Sequence, residues 1–359
     1  MPNKLLSPYT SDALRLPNRL VMAPMTRNRA TAGGVPTELM ARYYAQRATA
    51  GLIVAEAATP NAVGQTYPNI TAIHNDAHVE GWRLVTGAVA AAGGRMFLQI
   101  EHGGRIGHPE TSGLRPVAPS PIALPDTIHT PGGRSPSIVP KELTTAEVRA
   151  TARDFVAAAR RAIDAGFQGV EVHSANGYLL HQFLSANTNR RTDVYADRVR
   201  FPAEVVTAVA EAIGAHRVGL RISPENTDNG IAEGDPVPLY TGLLERIPGL
   251  AYLHVAYADP ARPVFERIRR RWAGTLIANP RLPADHLPGD GGRAAAERLL
   301  AEGADLVSLG RPFLANPDLV ERLRRGAPIN QVRDGFLYAG GAQGYTDYPA
   351  LTTASSRTA

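Results

Sequence analysis

With 359 residues, 44% of them hydrophobic and 20% charged, the chain has the composition of a water-soluble globular protein with a large core. It contains no cysteine, which excludes disulfides, thiolate nucleophiles, iron–sulfur clusters and Cys-based zinc sites. Lys and Arg outnumber Asp and Glu by 38 to 33, but the basic residues are scattered. Their one run, Arg267, Arg269, Arg270 and Arg271, lacks the aromatic interleaving or basic arm of a nucleic-acid surface and reads as a solvated helix face.

The opening MPNKLLSPYT lacks the apolar core of a leader, and no run approaches the ~18 apolar residues of a membrane span. A soluble, cytoplasmic protein is expected. Residues 5–16 hold short apolar pieces broken by Ser7-Pro8 and Asp12, which predicts a small hairpin ahead of the main fold. Apolar, β-rich runs then recur at 19–25, 51–57, 95–100, 169–173, 217–222, 251–256, 274–278 and 304–309, with helical periodicity between them. Helix starts are marked by Thr37 ahead of Leu39, Met40, Tyr43 and Tyr44, by Asn75 or Asp76, and by Thr144-Thr145 with Glu147. Strands and helices alternating in this way predict an α/β fold, a single (β/α)8 TIM barrel over residues 1–351 whose strands are buried on both faces. Residues 101–143, rich in Pro and Gly, are too long for an ordinary barrel loop and read as a capping loop on the active face. The small, polar 352–359 reads as a disordered tail.

In a barrel the carboxyl ends of the strands carry the chemistry. The fourth run ends in His173-Ser-Ala-Asn176-Gly177-Tyr178 before Leu179, Leu180, Phe183 and Leu184 recur at helical spacing. A neutral imidazole N–H and a carboxamide NH2 can donate to a single oxygen and stabilise negative charge growing on it. A phenol, with a reference pKa of about 10, remains protonated at neutral pH and can deliver its proton to a carbanion-like centre. This set suits the addition of hydrogen to a bond conjugated with a carbonyl or nitro group. Arg221 lies inside the apolar run VGLRIS, where a cation needs an anionic partner. Either Glu171 or the edge of a reduced flavin would serve. Gly310-Arg311 at the end of the eighth run, followed by a helix start, has the form of a barrel phosphate site.

Taken in order, NRLVMAPMTRNR (18–29), GGRMFLQ (93–99), HSANGYLLHQFLS (173–185), NRRTDVY (189–195), LRISP (220–224), DLVSLGRPFLANPDL (305–319) and GAQGYTDYP (341–349) resemble the old yellow enzyme family of FMN-dependent ene reductases over nearly the whole chain. The resemblance implies FMN as cofactor and NAD(P)H as reductant. It implies that Pro24, Met25, Thr26, Ala58, Gln99, His173, Arg221, Asn279, Gly310 and Arg311 hold the flavin. His173 and Asn176 would bind the activating oxygen of the alkene, Tyr178 would protonate its α-carbon, and Tyr67, Glu101 and Tyr338 would line the substrate pocket. Thr26, where other branches carry Cys, implies the Thr-type, single-barrel subgroup, acting as monomer or homodimer without nucleic-acid or membrane partners. The same flavin site could instead reduce nitro or nitrate-ester xenobiotics, or serve a non-catalytic sensor.

Three departures from the family pattern stand out. Glu101 occupies a position that is often Trp, and is expected either to restrict anionic substrates, to pair with Arg105 or Arg115, or to turn into solvent. The segment Ala196-Asp197-Arg198 after Tyr195 is shortened. An insertion-like DHLPGDGG (285–292) follows Asn279-Pro280.

Overall fold

A computed structural model describes residues 4–351 of the chain. Eight parallel strands form its centre: β1 (Leu20–Met22), β2 (Leu52–Thr59), β3 (Met96–Ile100), β4 (Gly169–Ser174), β5 (Val218–Ile222), β6 (Tyr252–Ala258), β7 (Leu276–Pro280) and β8 (Leu306–Leu309). Each pairs with the next, and Leu309 of β8 stands opposite Met22 of β1, so the sheet closes on itself. Closure removes the unpaired edges that an open sheet would expose. Every predicted apolar run overlaps one of these strands. All eight residues of β2 and all six of β4 are buried, as a barrel with a filled interior and a coat of helices requires.

The coat consists of α1 (Glu38–Ala45), α2 (Asp76–Ala91), α3 (Thr145–Asp164), α4 (Arg200–Ile213), α5 (Pro236–Glu245), α6 (Pro263–Arg271), α7 (Arg293–Ala301) and α8 (Leu319–Arg325). Asn75 caps α2, its side chain accepting the His78 N–H. Thr144 and Glu147 form a reciprocal capping box at α3. Thr37 departs from expectation: it precedes α1 but makes no side-chain cap, its hydroxyl donating instead to the Arg29 carbonyl at 3.1 Å. The basic run on α6 is a solvated face, with Arg269 paired to Asp305 at 3.1 Å and Arg271 to Glu245 at 3.6 Å. Among the described residues no helix is long and apolar enough to cross a membrane. The segment expected to be a disordered tail, 352–359, lies outside the described residues.

The N-terminal hairpin forms as expected, Tyr9–Thr10 against Arg15–Leu16. Its Leu14 and Leu16 pack on Val21, Leu52, Val54, Phe97 and Ile277. One end of the barrel is thereby sealed with apolar side chains. The capping loop has structure of its own: Val117–Ala118 pairs with Lys141–Glu142, and Thr127–Thr130 forms a hairpin with Gly133–Pro136. Arg105 pins it by donating to the carbonyls of Ala123, Asn229 and Gly230 at 3.2, 2.8 and 3.1 Å. Its Ile106, Leu124 and Ile128 form a small apolar cluster against Tyr67 and Tyr178. The shortened segment is also tied down, Asp197 pairing with Arg246 just beyond α5 and Arg198 donating to the carbonyls of Leu184 and Glu233.

Removing the α3 cap should be felt at long range, because α3 buries Val148, Phe155, Ala158 and Ala162. Thr144→Ala is expected to lower stability by about 1 kcal/mol and Thr144→Ser to restore most of it, read from the midpoint of urea unfolding.

Candidate active site

The turn that follows β4 is built to hold its residues in one place. Asn176 (φ 53°) and Gly177 (φ 82°) both adopt left-handed backbone, which Asn tolerates and Gly favours. A Cβ at Gly177 would also fall 2.8 Å from the Asp228 carbonyl, so no larger residue fits. The backbone N–H of Asn176 donates to the Ser223 hydroxyl at 2.8 Å, and that of Gly177 donates to Nδ1 of His181 at 3.0 Å. An acceptor at Nδ1 puts the His181 proton on Nε2, which donates to Glu233 at 2.6 Å. Gln182 joins the turn to the capping loop, donating to the Gly177 and Gly103 carbonyls and accepting the Arg105 N–H. His181, Gln182, Ser223 and Glu233 were not among the expected site residues. The available signal was the pair of polar residues inside the apolar helix Leu179–Leu184, where His181 and Gln182 are fully buried.

His173 and Tyr178 come together as expected, their rings meeting edge to face with centroids 5.2 Å apart. Burial, with the Arg221 cation next in weight, holds the His173 imidazole well below its usual pKa, so it is neutral. Its Nδ1 has no hydrogen-bond partner. Burial and the nearby Glu101 hold the Tyr178 hydroxyl well above 10; its hydrogen-bond partner Tyr67 is pushed up to about 12, chiefly by burial. Asn176 is half-buried and directs its NH2 to Asp228 at 3.4 Å, which also accepts the Tyr257 hydroxyl at 3.1 Å. Tyr338 is 62% exposed, yet close enough to Tyr67 and Tyr178 to act on both electrostatically.

Glu101 corrects two of the three expectations for it. Its residue is 4% exposed, so it does not turn into solvent. It pairs with neither arginine: Arg105 is taken by the carbonyls named above, and Arg115 donates to the Val139 carbonyl at 3.1 Å. Its Oε2 lies 3.3 Å from Nε2 of His173. Burial pushes its carboxyl up to about 8, the Thr66 hydroxyl and the Arg221 cation limiting the rise.

Beside this cluster, Arg221 stands opposite His173 in the β4–β5 register. It is 7% exposed, Nε and Nη1 lack partners, and Nη2 reaches only the Asn279 Oδ1 at 3.4 Å. The expected alternative, an ion pair with Glu171, is not formed. Glu171 is engaged by His254 at 2.8 Å and by Gln99 at 2.7 Å, and His254 is anchored in turn to Ser308 at 2.7 Å. A buried guanidinium with two unpartnered nitrogens calls for an anionic, hydrogen-bonding ligand. Around it, Pro24, Met25 and Thr26 are half-buried, whereas Ala58 is fully buried and its carbonyl accepts the Glu101 N–H at 3.1 Å. Asn279 donates to the Ser308 carbonyl at 2.9 Å. Gly310 begins the short helix Arg311–Ala315, and the Arg311 guanidinium is turned to the carbonyls of Pro283 and Ala284. The orphaned donors of Arg221 fit an anionic, hydrogen-bonding cofactor.

The model of the NADH:flavin oxidoreductase / NADH oxidase family matches residues 4–330. A probable flavin mononucleotide-dependent alkene reductase from Leishmania infantum is 39% identical, over 97% of each chain. Among solved structures, morphinone reductase in complex with tetrahydroNAD is 40% identical and superposes with a TM-score of 0.90 over 98% of this chain and 99% of its own. The old yellow enzyme homologue from Zymomonas mobilis is 36% identical with a TM-score of 0.90, over 97% of this chain and all of that one, 100%. This chain therefore belongs to the NADH:flavin oxidoreductase / NADH oxidase family, that of the old yellow enzymes, and is an FMN-dependent oxidoreductase that draws its electrons from NAD(P)H.

Proposed function

We propose that the enzyme reduces C=C bonds activated by a carbonyl or nitro group, as in enals, enones, maleimides and nitroalkenes. The observation that supports this reading most is the pairing, at the end of β4, of a neutral imidazole with a firmly protonated phenol whose rings touch. Arg221, Asn279 and Gly310 would hold FMN, with Arg311 able to turn from its present carbonyls to the phosphate. Pro24, Met25, Thr26, Ala58 and Gln99 would border the flavin ring. Reduced FMN, when bound, supplies a hydride for the β-carbon of the alkene. His173 and Asn176 donate to the activating oxygen and draw charge toward it, which makes the β-carbon electrophilic. Tyr178 holds its proton across the physiological range and gives it to the α-carbon as negative charge develops there. The neighbouring Tyr67 hydroxyl would reprotonate it, and Ile106, Leu124 and Ile128, packed against both tyrosines, would keep water from the pair. Tyr67 and Tyr338 border the route by which substrate enters.

The direct test is an anaerobic absorbance spectrum taken before and after NADPH, then after 2-cyclohexenone. A yellow protein that bleaches and regains colour with the enone supports the proposal; a bleached protein that the enone leaves reduced contradicts it. Tyr178→Phe is expected to slow reoxidation by the enone about a hundredfold while bleaching by NADPH loses far less. Equal losses in both half-reactions would remove Tyr178 from its role.

Arg221 yields a thermodynamic prediction. Arg221→Met takes away a buried, under-partnered cation, so the flavin-free variant should be more stable than flavin-free wild type, on the order of 1 kcal/mol. The same variant should lose most of the rise in melting temperature that excess FMN gives the wild type. A destabilised variant that still gains normally from FMN would count against this assignment.

A further inference from the structure

Glu101 is a buried carboxyl group in the site that the proposed chemistry does not use. It is nine-tenths or more buried, it lies on β3's continuation next to the clamp, and its Oε2 lies 3.3 Å from the imidazole Nε2 of His173. We infer that Glu101 is a third donor of the oxyanion clamp: as a neutral carboxylic acid beside His173, it hydrogen-bonds through its O–H to the activating oxygen of the alkene. This rests on the ene-reductase reading and adds a catalytic residue to it. An acid kept neutral by an apolar site is an effective oxyanion donor, because the hydrogen bond its O–H gives to an oxyanion is short and strong and no charge has to be paired when the site is empty.

The groups that face Glu101 make the neutral form the working one. Thr66 and Tyr67 approach from the segment after β2, His173 from β4, Tyr178 from the turn beyond it, and Arg221 from β5. His173 is neutral and both tyrosines are protonated well past pH 9, so Arg221 is the only charge among them. Burial outweighs that cation and holds the carboxyl near 8. Below that pH Glu101 donates. Above it Glu101 becomes an anion set against the oxygen that must itself gain negative charge, and the clamp works against its substrate. Glu56, held near 7, is a separate carboxylate bonded to Tyr44 and the Arg27 N–H, and a limb due to it would be unaffected by changes at Glu101.

The experiment follows reoxidation of the NADPH-reduced holoenzyme by 2-cyclohexenone from pH 6 to 10 in wild type, Glu101→Gln and Glu101→Leu. It also measures binding of the non-reducible ketone cyclohexanone to the oxidised protein by flavin absorbance. Wild type is expected to lose both rate and ketone affinity about tenfold per pH unit above about 8. Glu101→Gln, whose amide donates and does not ionise, should keep its rate and affinity flat to pH 9. Glu101→Leu, with no donor, should reoxidise at least about tenfold more slowly than Glu101→Gln at pH 7. An alkaline limb that persists unchanged in Glu101→Gln, or Leu and Gln variants that behave alike, overturns the role of Glu101 while the ene-reductase reading stands. A wild type that reduces the enone at no pH takes both down.

Discussion

The site depends on a cation buried at the carboxyl end of β5. Arg221 could have been neutralised by Glu171, which is close enough in the barrel to feel it, but the carboxylate oxygens of Glu171 are bound by His254 and Gln99. A polar layer drawn from β3, β4, β6 and β8 thus satisfies its own acid, and the guanidinium above it keeps two nitrogens free. In the proposed reading the desolvation cost of that arrangement would be offset when an anionic cofactor binds, so that a liability of the empty fold would become affinity. Barrel closure makes it possible: only a ring of strands with fixed register can hold Arg221 opposite His173 and still bury both.

The turn after β4 shows the same division between groups that support and groups that act. His181, Gln182, Ser223 and Glu233 have their hydrogen bonds assigned within the protein, and each bond reaches the backbone of Asn176 or Gly177 or holds a residue that does. His173, Asn176 and Tyr178 retain unfilled capacity. The two histidines make the contrast plain: His181 has a partner on both nitrogens and is fixed in one tautomer, whereas His173 has a free Nδ1. Left-handed backbone at two consecutive residues is held by these neighbours, and a site whose donors must meet one oxygen benefits from such rigidity.

Much of this was legible in the sequence, and the reasons are physical. Strands buried on both faces cannot avoid reading as apolar runs, so all eight were visible, and the Thr144–Glu147 box fixes a helix start through contacts only three residues apart. The cluster at His173, Asn176 and Tyr178 was visible because one short strand end carries all three. What failed was anything decided by a distant segment. Strand alternation places Glu101 on the same side as Gln99 but says nothing of the loop and tyrosines that close over it, so a solvent-facing or arginine-paired carboxylate remained open. The choice of partner for Arg221, Glu171 or a flavin edge, stayed open for the same reason, since His254, which claims Glu171, lies two strands from it. Thr37 looked like a cap because its position is right, and it missed because the Arg29 carbonyl offered its hydroxyl another partner.

One physical cause unifies the titrating groups of the site. Removal from water penalises charge of either sign, and it therefore lowers the affinity of His173 for a second proton while raising the affinity of Tyr178, Tyr67 and Glu101 for the one they carry. A neutral imidazole and a phenol that keeps its proton both follow from burial, to which Ile106, Leu124 and Ile128 contribute over Tyr67 and Tyr178. The carboxyl group of Glu101 belongs to the same set. In water Glu101 would be an anion opposing the reaction; buried, it is driven toward the form that can assist it. The capping loop thus bears on the acid–base chemistry, because its apolar side chains help to bury the two tyrosines.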